Sequence, residues 1–131
     1  MPKLPAIVAR PFVPAKDLAQ SASFYEALGF AKLLDSPQIA IFSCGGAGGF
    51  LLQPYDAPGF AEQFMMQLMV PDLDAWWAHL AGLDLPGRFG VPAPKAPKLQ
   101  PWGLRVAYVV DPSGVLWHVA EARPDTIHDR A

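Results

Sequence analysis

The chain has 131 residues, enough for one domain with a real core. Its apolar share of 52% and charged share of 17% exclude a disordered chain, and a net charge of −2 provides no basic face for nucleic acid. With Cys44 as the only cysteine and no apolar run of membrane-spanning length, the expectation is a cytoplasmic protein without disulfide, signal peptide or membrane anchor.

In chain order, Ala6–Val13 reads as a first strand. Asp17 is a good N-cap, and Leu18, Ala22, Tyr25 and Leu28 follow at helical spacing until Gly29 closes the helix. Phe30–Leu34, Ile39–Cys44 and Gly48–Gln53 read as three strands. After Pro58-Gly59 the order recurs. Phe64–Val70 is an apolar run, Asp72 caps a second helix marked by Leu73, Leu80 and Leu83, and two strands follow after a long connection. The second strand pair is the clearest. Leu104–Val110 and Val115–Glu121 flank Asp111-Pro112-Ser113-Gly114, where Pro sets φ at the second turn position and Gly supplies a positive φ. Alternation puts Leu116, His118 and Ala120 on one face of the last strand and Val115, Trp117 and Val119 on the other.

The expected organisation is one α+β domain over 1–131. It holds two pseudo-repeats, at about 5–57 and 60–122, and a polar tail at 123–131. Each repeat is β, then α, then two or three β, and pairing them closes a core that neither covers alone. Fifteen prolines are unusual for this length, and many fall between Pro86 and Pro101. The segment Arg88–Gln100 is therefore expected to be extended and stiff, as a cleft rim, a lid or a connector to a partner subunit.

Phe12-Val13-Pro14-Ala15-Lys16-Asp17-Leu18, then Phe24-Tyr25-Glu26-Ala27-Leu28-Gly29-Phe30, resembles the opening of the vicinal oxygen chelate superfamily. Pro101-Trp102-Gly103-Leu104-Arg105, with Asp111-Pro112-Ser113-Gly114, resembles its closing signature. The superfamily includes glyoxalases, extradiol dioxygenases and bleomycin-resistance proteins, and Trp117-His118-Val119-Ala120-Glu121 is similar to the bleomycin-resistance branch. The resemblance implies paired βαβββ modules that bend mixed sheet into a half-open cup. It also implies a homodimer with ligand clefts at or near the subunit interface.

Metal-dependent members carry ligands on four strands. The matching positions here are Arg10, the strand Gly48–Gln53 with no His, Asp or Glu, Met65, and His118. A catalytic divalent ion needs about three converging donors. Arginine has no lone pair to give and methionine suits soft ions. A metal-free cleft without a cofactor is therefore expected, and no catalytic residue is assigned.

The ligand-binding candidates are Arg10, Phe12, Trp102 and His118. By family position Arg10 shares the His118-equivalent face with Val8 and Phe12; it either holds a ligand anion or pairs with an acid or solvent. His118 is a cleft donor, acceptor or proton relay, or a hydrogen-bonded histidine without chemistry. Trp102 is either a stacking platform or a packing plug. Met65, Met66 and Met69 form core or an adaptable pocket wall. Of Trp76 and Trp77, adjacent on one helix, one is expected in the core and the other partly at the surface or in a dimer contact. Cys44 reads as a buried thiol, and His79 and His128 as solvent-facing. The leading reading is a small-molecule-binding homodimer of the bleomycin-resistance type, with antibiotic sequestration as one use. The alternative is a metal-dependent lyase, isomerase or dioxygenase of the same superfamily.

Overall fold

The computed structural model describes residues 4–46 and 48–123; His128 and the rest of the tail beyond Arg123 lie outside them. The first half runs β1 (Phe12–Ala15), α1 (Leu18–Leu28), β2 (Ala31–Asp35), β3 (Ala40–Gly45) and β4 (Gly48–Pro54). After a short 3-10 turn come β5 (Met65–Val70), α2 (Leu73–Ala81), α3 (Leu85–Phe89), β6 (Lys95–Leu99), β7 (Arg105–Val110) and β8 (Leu116–Glu121). The two four-stranded sheets have the orders β1-β4-β3-β2 and β5-β8-β7-β6. Each thus places its first strand parallel to its last and its other pairs antiparallel.

Local chemistry sets the helix ends. The Asp17 carboxylate accepts the Gln20 amide and the Asp72 carboxylate accepts the Ala75 amide, each satisfying one orphan N–H. Gly29 ends α1 at φ 108°, a conformation that disfavours any side chain. Helix α1 turns Phe24, Tyr25 and Leu28 inward. There Tyr25 meets Phe50 at 4.8 Å between ring centroids, and Phe50 meets Trp117 at 5.4 Å. Burying each such ring contributes about 1.5–3 kcal/mol, so this aromatic cluster, drawn from both halves, seals the two sheets into one core.

One expectation needs correction, and two gain detail. The first strand begins at Phe12, not Ala6. Pro11 has no amide to donate; its carbonyl accepts the Leu51 amide, and the ladder starts there. The stretch Arg88–Gln100 holds the end of α3 and all of β6, so it is partly a paired edge strand. Its register shifts between Lys95 and Lys98, which accommodates Pro97. His79 is exposed, as expected, and also holds a partner: its Nε2 lies 2.8 Å from the Leu28 carbonyl oxygen at the end of α1, and Trp76 meets its ring edge-on. Trp76 and Trp77 are both partly buried and packed against the core.

Candidate functional site

The second sheet packs one face on the core and leaves part of the other open. Val115, just before β8, and Trp117 and Val119 on it point inward at 0, 2 and 3% exposure, as the alternation predicts, while Leu116 and His118 remain half-buried on the open side. Strand register extends that face into three rows. Val110, Leu116 and Met65 form an apolar row. Lys95, Tyr108, His118 and Gln67 form a polar row that crosses all four strands. Val106, Ala120 and Met69 form a second apolar row, which packs with Leu104 and Tyr108 as a small separate cluster.

A cavity of about 450 Å³ opens on this face. Met65, Tyr108, Leu116 and His118 floor it, and Pro92, Ala93 and Lys95 wall it from the proline-rich segment. This segment thus forms part of the cleft rim. Tyr108 meets His118 edge-to-face at 4.9 Å. Burial lowers the His118 pKa from its ordinary value, so the imidazole is neutral near pH 7 and can either donate or accept a hydrogen bond.

Trp102 sits beside this cavity. The turn Gln100–Gly103 carries it: the Gly103 amide donates to the Gln100 carbonyl at 2.9 Å, and Gly103 takes φ 94°. The Trp102 ring is 56% exposed and its centroid lies 6.5 Å from that of His118. Trp102, His118, Met65, Met66 and Gln67 line an adjoining recess of about 300 Å³. Met65 is therefore pocket wall at 62% exposure, whereas Met66 packs on the core.

Arg10 and Phe12 lie elsewhere. Phe12 opens β1 opposite Leu51 on the first sheet and is 51% exposed. Arg10 runs beside Gly49, its Cδ 3.5 Å from where a Cβ on that glycine would stand. It lines a cavity of about 230 Å³ with Ile7, Val8, Leu33 and Ser43. Within one chain, then, Trp102 and His118 come together, while Arg10 shares no cavity with them among the described residues. A recess of about 330 Å³ on the seam between the sheets borders both regions, through Gly48 and Gly49 on one side and Met66 and Gln67 on the other.

The positions matched to family metal ligands hold Arg10, Met65 and His118, and this donor set does not fit a hard divalent ion. Among the described residues no three His, Cys, Asp or Glu side chains converge. Cys44 is half-buried rather than buried, and burial pushes its thiol up to about 11, far from a reactive thiolate. Lys95, Tyr108 and Gln67 escaped the reading of the sequence. The hairpin register could have found Tyr108, since Val110 pairs Leu116 and Tyr108 then pairs His118. No comparable signal marked Lys95, because β6 hides among prolines.

The geometry has counterparts in known proteins. The family model for the Glyoxalase/Bleomycin resistance protein/Dioxygenase superfamily matches residues 6–119. A bleomycin resistance protein of Klebsiella pneumoniae is 31% identical over 112 residues, covering 82% of this chain and 86% of that protein. The crystal structure of a bleomycin-binding protein complexed with bleomycin superposes with a TM-score of 0.74 at 28% identity, covering 88% of this chain and 98% of the other. The bleomycin-binding protein from Streptomyces verticillus, complexed with copper(II)-bleomycin, shares the fold with a TM-score of 0.76 at 23% identity, covering 92% and 99%. From the open-faced paired sheets to the sequence match over most of its length, the chain belongs to the glyoxalase/bleomycin resistance protein/dioxygenase superfamily.

Proposed function

We propose that this protein binds a flat small molecule on the open face of its second sheet and sequesters it without turnover, as a cytoplasmic homodimer. The observation that carries the reading is the cavity of about 450 Å³ beside Trp102, with an apolar floor and a few polar groups in one row. Its likeness to bleomycin-binding proteins supports a binding role, with antibiotic sequestration as one form of it. The homodimer is supported by apolar side chains exposed on and beside the first sheet. Ile7, Val8, Phe12, Leu33 and Leu34 are 98, 44, 51, 61 and 46% exposed.

A thermal-shift screen of aromatic metabolites and antibiotics, bleomycin included, tests the reading, because a ligand of the folded state raises Tm by mass action. A concentration-dependent rise that is lost in Trp102→Ala is expected. A screen without any hit overturns the binding role. Near-stoichiometric metal in purified protein, lost on His118→Ala, would instead favour a metal-dependent enzyme.

A further inference from the structure

We propose that the ligand is an aromatic anion, whose carboxylate or equivalent oxyanion is received by Lys95 while its ring lies over Tyr108 and His118. This rests on the binding role proposed above and deepens it. Three observations carry it.

First, the cavity holds a cation and no carboxylate. Lys95 lines it, and among the described residues no Asp or Glu lines either this cavity or the Trp102 recess. The protein as a whole is mildly acidic, so this local sign runs against the average. Second, nine of the ten acids among the described residues, all but Asp56, are engaged elsewhere. Glu62 pairs with Lys16, Glu26 and Asp35 with Lys32, and Asp74 and Glu121 with Arg105. Asp17, Asp72 and Asp84 cap helices, and Asp111 is buried in the β7–β8 turn. Lys95 enters no ion pair with any described residue. Third, the remaining polar groups extend from Lys95 in one line, Tyr108 then His118 then Gln67, between two apolar rows.

A flat ligand laid along that line meets a cation at one end, rings in the middle and an amide at the other end. Neighbouring strands are about 4.8 Å apart, so Lys95 and His118 are separated by roughly 10 Å, enough for a two-ring acid. An oxyanion at Lys95 makes a charge-assisted hydrogen bond beside apolar walls. A cationic ligand would place like charges together in the same surroundings, with no carboxylate to receive it. The chemistry therefore selects against polycationic compounds.

The test uses three near-isosteric probes, 2-naphthoate, 2-naphthamide and 2-naphthylmethylammonium, titrated by calorimetry against wild type, Lys95→Gln and Lys98→Gln. Lys95 and Lys98 lie on the same edge strand, but only Lys95 lines the cavity. The acid is expected to bind about tenfold more tightly than the ammonium compound, and Lys95→Gln to weaken the acid about tenfold while leaving the amide within about twofold. Lys98→Gln is expected to leave all three unchanged. Equal or tighter binding of the ammonium compound overturns the anionic class while leaving a binding role in place. Equal weakening by Lys98→Gln overturns the assignment to Lys95. If none of the three binds, the aromatic-anion class falls, and the thermal-shift screen separately decides whether the cavity binds anything.

Discussion

The Tyr25 hydroxyl donates a 2.6 Å hydrogen bond to Asp111 Oδ2, joining α1 of the first half to the β7–β8 turn of the second. Trp117 Nε1–H donates in turn to the Tyr25 oxygen at 2.8 Å, and Asp111 Oδ1 accepts the Ser113 and Val115 amides at 2.9 Å each. Burial raises the Asp111 pKa, opposed by the bonds from Tyr25 and the turn amides, and burial together with Asp111 holds the Tyr25 phenol well above its ordinary range. The same turn presents Ser113 Oγ to the Lys16 amide at 2.9 Å. The hairpin that carries His118 is thus tied to the first half through buried polar groups that all find partners.

Tyr25→Phe removes both bonds and leaves the Trp117 N–H and an Asp111 lone pair without partners in the core. The expected loss is about 1–3 kcal/mol, read as a lower urea midpoint at unchanged slope. A midpoint equal to wild type would mean that water replaces the hydroxyl.

Gly114 holds φ 103°, and a Cβ there would approach Glu62 Cγ at 3.0 Å. Gly114→Ala is expected to destabilise by about 1–2 kcal/mol through backbone strain. Equilibrium unfolding measures it, and an Asn at the same position should be milder because Asn tolerates positive φ better.

Trp102 is mostly solvent-exposed, so its removal should spare the fold. Trp102→Ala is expected to weaken a stacked aromatic ligand by about 1–3 kcal/mol, by analogy with base–aromatic stacking, with Tm of the free protein within a degree or so of wild type. Calorimetric titration with 2-naphthoate gives the number. Unchanged affinity would remove Trp102 from the site.

Desolvation depresses the folded pKa of His118 below its unfolded value near 6.5. Above that value the imidazole is neutral in both states and stability is unaffected. As pH falls below it, the unfolded chain takes up the proton first, so stability declines until pH drops below the folded pKa. Lys95 and Tyr108 face His118 from β6 and β7 and Gln67 from β5. His118→Gln should flatten the fall of Tm as pH drops below about 6.5. An unaltered slope would show that other groups dominate it.

The exposed apolar side chains on and beside the first sheet predict self-association. Phe12→Asp is expected to shift the protein from dimer toward monomer in analytical ultracentrifugation, with far-UV circular dichroism preserved. A wild-type protein that sediments as a monomer at tens of micromolar would remove the homodimer.

Local chemistry made much of this molecule readable in one dimension. Asp17 and Asp72 announce helix starts because a short acceptor satisfies an orphan amide, and Gly29 announces a stop because only glycine rests easily at φ 108°. The period-two alternation of β8 separated Trp117 from His118 before any contact was known. The repeated order of elements and the turn at Asp111 were legible for the same reason: each depends on residues close in the chain. What depends on distant residues was decided only by the folded structure. The first strand lost Ala6–Pro11 because its ladder with β4 starts only at the Phe12–Leu51 pair. Lys95 reached the pocket because β6 pairs with β7 across a bulge. Within one chain Arg10 and His118 lie apart because Arg10 precedes β1 of the first sheet whereas His118 sits on β8 of the second, and the path of two sheets around a shared aromatic core is not written in the spacing of either one.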